Sequence, residues 1–176
     1  MNSSRLRFKL KDNIGVVAAA AAGALLLAPD VKWALRYNQS SFDWDQAVYA
    51  SEAVNLFFAS KGGIAAWAQA MEQTLRVWPP LMVWVGQLAV PLRHVFGDVG
   101  FVLLLFNLLW NGAVFWFVYV ISRRLGAGSI EALTALVACG ASGIVIGLNH
   151  QFLVETPQCA AAAFMMFAAF QIEKRS

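Results

Sequence analysis

Apolar residues along this chain gather into long unbroken runs, and the polar interruptions decide where each run stops. Ile14 to Ala28 is continuous and mostly Ala, Leu and Val; Val99 to Ser122, Ile130 to Leu148 and Pro157 to Ile172 follow after a long mixed stretch. Runs of this kind, without the alternation of a half-buried strand, predict helices that cross a membrane. The spans are placed at 13–29, 99–122, 129–148 and 156–172. The third carries Gly143 and Gly147, a small-residue spacing that lets helix backbones approach closely. Pro157 suits a first helical turn, where a missing N–H costs nothing.

Between Asp30 and Asp98 the pattern changes. Polar and apolar positions mix too finely for a span, and this stretch holds five of the thirteen basic and six of the ten acidic residues. Asp45 to Ser60 and Ile64 to Val77 read as amphipathic helices parted by Lys61-Gly62-Gly63. Pro80 to Phe96 is apolar, but Gln87, Pro91, Arg93 and His94 interrupt it. A break at Pro91 leaves about 10 residues of clean helix, too few to span. The stretch 30–98 is therefore expected to be a large outer loop of interfacial helices, with its tryptophans at headgroup depth. The alternative makes 80–96 a true span and inverts everything after it.

Composition agrees with the membrane reading: 60% of residues are hydrophobic and the mean hydropathy is +0.61. A formal charge of +3 invites nucleic acid as a partner. No basic stripe interleaved with aromatics exists, so that class is excluded. Cys139 and Cys159 lie inside apolar runs and behave as small hydrophobes. The basic N-terminus before a short apolar run fits either a cleaved signal peptide or a first span with a cytoplasmic flank, and the later spans favour the second. With four spans, Arg5 to Lys11, Arg123-Arg124 and Lys174-Arg175 all fall on one side, eight of the thirteen basic residues in three short segments. The positive-inside rule makes that side the cytoplasm, so both termini are cytoplasmic and the 30–98 loop shares the outer face with the link 149–155.

Scarce charges on such a chain point to chemistry. Asp43 and Asp45 open a helix in which Asp45, Tyr49 and Glu52 fall at i, i+4 and i+7, on one face. Their plainer role is capping, a carboxylate accepting from the free N–H groups of the first turn. Glu155, before Thr156 and Pro157, has the same plain reading, and His150 reads as a loop histidine. Asn107 and Asn111 share one helix face and are placed to bond between helices. Interfacial carboxylates are costly to desolvate and are usually kept for function, so the convergence of these acids on one face carries the argument.

The order of short motifs resembles a known family. Asp45-Gln46-Ala47-Val48-Tyr49-Ala50 follows the first span, then Trp78-Pro79-Pro80-Leu81, Phe96-Gly97, Arg123-Arg124-Leu125-Gly126 and Glu155-Thr156-Pro157. This resembles the N-terminal module of the GT-C glycosyltransferases, in the branch of protein O-mannosyltransferases and lipid A aminoarabinose transferases. The resemblance implies an all-α, polytopic helical membrane protein of the bacterial inner (plasma) membrane, with 1–176 as a single membrane module. Its donor would be a polyprenyl-phosphate-linked sugar, its acceptor a hydroxyl on a lipid, glycan or protein, and its reaction extracytoplasmic.

By position, the resemblance makes Asp45 the catalytic base, with Asp43 beside it and Glu155 as a second acid. It makes Tyr49, Trp78, Pro79, Pro80 and His150 substrate-binding. Gln46 stands where a second acid is common, and Trp78 where Lys or His is common; Arg76 or Arg93 would supply the cation for the donor phosphate. Burial beside Trp44 and Phe42 would make Asp45 a stronger base. No cofactor is fixed by these residues, although two acids leave room for a divalent metal. Family members carry many more helices, so further helices of a larger enzyme, or partner subunits, are expected to complete the site. The competing reading is a non-catalytic small membrane protein or complex subunit, its acids only caps and its small-residue faces only packing.

Overall fold

The computed structural model describes residues 3–36, 44–75, 80–150 and 155–173. Among them every regular element is helical. Two helices are long and apolar enough to cross a membrane, Asn13–Arg36 within α1 (Ser3–Arg36) and α6 (Val99–Arg124), 24 and 26 residues respectively. At ~1.5 Å per residue each exceeds the ~30 Å of a bilayer's hydrocarbon. The protein is membrane-associated on this showing. Helix α1 runs past the expected end at 29, straight through Pro29 to Arg36. Helix α6 starts where Asp98 caps it, its side chain accepting from the Gly100 N–H at 2.8 Å.

The expected span 129–148 is not one helix. It divides into α7 (Ser129–Gly140) and α8 (Gly143–Asn149). The break falls in Gly140-Ala141-Ser142-Gly143, where small side chains offer no packing to hold the helix. There the Ser142 hydroxyl takes the Val145 N–H at 3.3 Å as a new N-cap. Helix α9 (Glu155–Glu173) covers the last expected span.

These helices alternate in direction. Helix α1 lies antiparallel to α6: Gly15 faces the Tyr119 hydroxyl, Gly23 faces Phe115, Leu27 faces Gly112, and Ala34 packs with Phe101 and Leu104. The α7–α8 pair runs alongside α1, with Ser129 at Gly15, Gly140 at Leu26 and His150 at Asp30. Helix α9 runs parallel to α6, Phe117 meeting Phe164 and Phe167 at 5.8 Å each while Arg124 lies over Phe167 at 6.0 Å. Gly140 lets these helices approach closely: a Cβ there would stand 2.7 Å from Leu26 Cδ1 and 3.1 Å from Phe115 Cζ, so both side chains would have to shift.

The stretch read as an interfacial loop forms a helical cap over the start of α6. It comprises α2 (Trp44–Lys61), α3 (Ile64–Leu75), α4 (Pro80–Ala89) and α5 (Arg93–Phe96). The α2–α3 break falls at Gly62-Gly63, where Gly63 takes a φ of +100° that side chains disfavour. Between α4 and α5 the chain tightens into a 3-10 turn over Val90–Leu92, centred on Pro91, which cannot donate to a continuing helix. Tyr49, Ala53 and Leu56 of α2 meet Met82, Val83 and Ala89 of α4 and Val102 and Leu103 of α6 in one buried cluster. Trp67 of α3 donates its indole N–H to the Gln87 side chain of α4 at 2.9 Å, closing the cap.

Candidate functional site where the long helices meet the cap

Tyr49 sits one turn into α2 and is only 5% exposed, while Asp45 below it and Glu155 in the first turn of α9 are exposed. Burial pushes the Tyr49 phenol above its ordinary value of 10.0, and the charges of Asp45 and then Glu155 push it further. Two carboxylates from distant parts of the sequence thus act on one hydroxyl, which stays protonated and able to donate.

The rest of that acidic face dissolves. Glu52 turns away and accepts from the Thr74 hydroxyl at 3.3 Å, tying α2 to α3. Burial of Asp45, expected to strengthen it as a base, is not found: Asp45 is exposed, on a different side of the first turn of α2 from its buried neighbour Gln46.

His150 lies in the turn just after α8, outside the helix as expected, but it is not idle there: Nε2 is 3.0 Å from Asp30 Oδ1 and its ring 4.2 Å from that of Trp33. Asp30 is 5% exposed and lies inside α1. Sequence reasoning missed it, having ended the first span just before Asp30; the signal was a carboxylate directly following an apolar run. One turn of α6 away, Asn107 is fully buried and donates to the Leu148 carbonyl at 2.9 Å, bonding between helices as expected. Asn111 instead bonds back to the Asn107 carbonyl at 3.4 Å, within its own helix. Two buried acceptors at this level, Asn107 Oδ1 and Thr156 Oγ1, have no hydrogen-bond partner among the described residues.

Arg93 does not stand with the acids. Its guanidinium lies 5.2 Å over the Phe58 ring, beside Lys61 at 5.1 Å from the same ring. Phe58 is about 20 Å along α2 from Asp45 by helical rise, well beyond the reach of an arginine side chain. Asp43, Arg76, Trp78 and Pro79 lie outside the described residues, and Pro80 opens α4.

An apolar cleft of about 340 Å³ opens between α1, α5 and α6, lined by Leu27, Val31, Phe96, Leu105, Phe106 and Leu109 among others. Leu27 and Val31 flank Asp30 in α1, so the cleft reaches the same depth as the Asp30–His150 pair. Among the described residues no three His, Cys, Asp or Glu side chains gather as a ligand set. Comparison with protein-family models, with curated proteins and with solved structures finds no match.

Proposed function

We propose that this chain is a GT-C-like module of a bacterial inner (plasma) membrane that transfers a sugar from a polyprenyl-phosphate donor to an acceptor hydroxyl on the outer face. The chain passes the membrane four times in this reading, through α1, α6, the α7–α8 pair and α9, with both termini cytoplasmic. The alternating helix directions support it, since the shared level of Asp30, Asn107 and His150 gathers the same end of three passes. The observation that carries the function is that two exposed acids from distant parts of the sequence, Asp45 at the start of α2 and Glu155 at the start of α9, both push the pKa of the buried Tyr49 phenol further up.

In the proposed reaction the acceptor oxygen attacks the anomeric carbon while the bond to the lipid phosphate breaks, its electron pair leaving on the phosphate. Asp45 and Glu155 hold acceptor and sugar hydroxyls and stabilise the positive charge that develops on the sugar ring. Tyr49 donates to a substrate oxygen, and the apolar cleft takes part of the donor's hydrocarbon chain. Further helices or partner subunits would meet the apolar face of α9, where Phe164, Met165 and Met166 are exposed.

The test is sugar transfer in membrane vesicles containing the protein, supplied with radiolabelled polyprenyl-phosphate mannose or aminoarabinose. Asp45→Asn and Glu155→Gln preserve size, and each should lower transfer by roughly 10²–10³-fold. Full activity in both variants, or no transfer above empty vesicles, would overturn the reading.

A further inference from the structure

We propose that the proton acceptor of this site is the imidazole of His150, held in its working tautomer by Asp30. The proposal rests on the glycosyl-transfer reading above and names the group that takes the acceptor's proton. A carboxylate can only accept, so the hydrogen in the 3.0 Å contact belongs to His150 Nε2. The lone pair is thereby fixed on Nδ1. That nitrogen has no hydrogen-bond partner among the described residues and is not among their buried unpartnered atoms, while the side chain is 32% exposed. Trp33, stacked at 4.2 Å, holds the plane of the ring.

A clasp joining α1 to α8 would explain the Nε2 contact alone. It gives no reason to leave the other nitrogen open at the surface, at the head of the link that leads into Glu155. Position fits as well: His150 and Glu155 are five positions apart in the sequence, at most about 17 Å of chain. The cleft flanking Asp30 brings a lipid-linked donor to the same depth. Asp30 is the charged group in contact with the ring; α6 presents the uncharged Asn107 nearby, and α9 begins with Glu155.

As the acceptor oxygen bonds to the anomeric carbon, its proton passes to Nδ1 and the sugar–phosphate bond breaks toward the lipid phosphate. The imidazolium so formed is balanced by Asp30 and returns its proton to water. His150 is the catalytic residue in this step and Asp30 a positioning residue.

The experiment measures the kinetics of transfer in the same vesicles. His150→Gln should lower kcat by roughly 10²–10⁴-fold. Asp30→Asn should lower kcat with KM little changed, because the wrong tautomer is then held. A readout independent of turnover uses a His94→Gln background, leaving His150 as the sole histidine of the two in the sequence. Diethyl pyrocarbonate applied from outside should then modify it and stop transfer. Transfer by wild type with an unchanged rate in His150→Gln, or an imidazole that resists the reagent, would overturn this inference alone. Absence of transfer in wild type would overturn the glycosyl reading and this step with it.

Discussion

Phe115→Ala measures the environment of the helix bundle as well as its packing. The ring is 1% exposed, seated with Ala19, Tyr119, Ala132 and Leu136 and pressed against the backbone at Gly140. In a water-soluble core such a truncation costs about 3–5 kcal/mol, part of it the transfer of the lost ring out of water. In a bilayer the separated helices still lie in hydrocarbon, so that transfer part vanishes and the cavity remains. Removing roughly 100 Å³ of ring at ~24 cal/mol per Å³ gives about 2.4 kcal/mol. The assay is reversible unfolding by SDS in mixed micelles, followed by tryptophan fluorescence, with Phe115→Leu as a milder companion. A loss near 2 kcal/mol is expected. A loss below about 1 kcal/mol would mean that α1, α6 and α7 do not meet around this ring, and one above about 4 kcal/mol would place the helices in water.

Tyr49 should ionise above the ordinary tyrosine range, and Asp45→Asn with Glu155→Gln should bring its ultraviolet titration down; an unchanged titration would separate the acids from the hydroxyl. Because its folded value is raised, the native state holds the proton longer than the unfolded chain. Stability from this group is therefore intact below about pH 10 and lost as pH rises beyond it. With Cys139 and Cys159 replaced by Ala, a cysteine at Ser60 should react with an impermeant maleimide from outside and one at Ala127 should not; labelling at 127 would invert the proposed topology.

Much of the helix plan was legible because it rests on local chemistry. Gly62-Gly63 ends α2, Pro91 ends α4, and Glu155-Thr156-Pro157 opens α9, each where backbone freedom or a missing donor dictates. Helix α1 outran its reading because the apolar run stops before Asp30, whereas here the helix carries on with Asp30 turned toward His150. The division of α7 from α8 was hidden for the opposite reason: glycines that look like a close-packing motif also leave little to hold a helix straight. Of the site, the acids could be named from their scarcity. Their distribution could not, since the turning of Glu52 to Thr74 and of Arg93 to Phe58 is decided by α3 and α5, distant neighbours in the sequence.

The break at Ala141-Ser142 bears on how the protein is made. Its two pieces hold 12 and 7 residues, about 18 and 10 Å of helix, and neither alone matches the ~30 Å of a bilayer's hydrocarbon. In the proposed four-pass topology a segment so divided has little insertion drive of its own and would enter as a hairpin with the helix before it. The Asn107 amide would then latch onto the Leu148 carbonyl only after entry, when α8 reaches its depth beside α6. Biogenesis would therefore run from the robust helix to the fragile one, and the outer face would be assembled last.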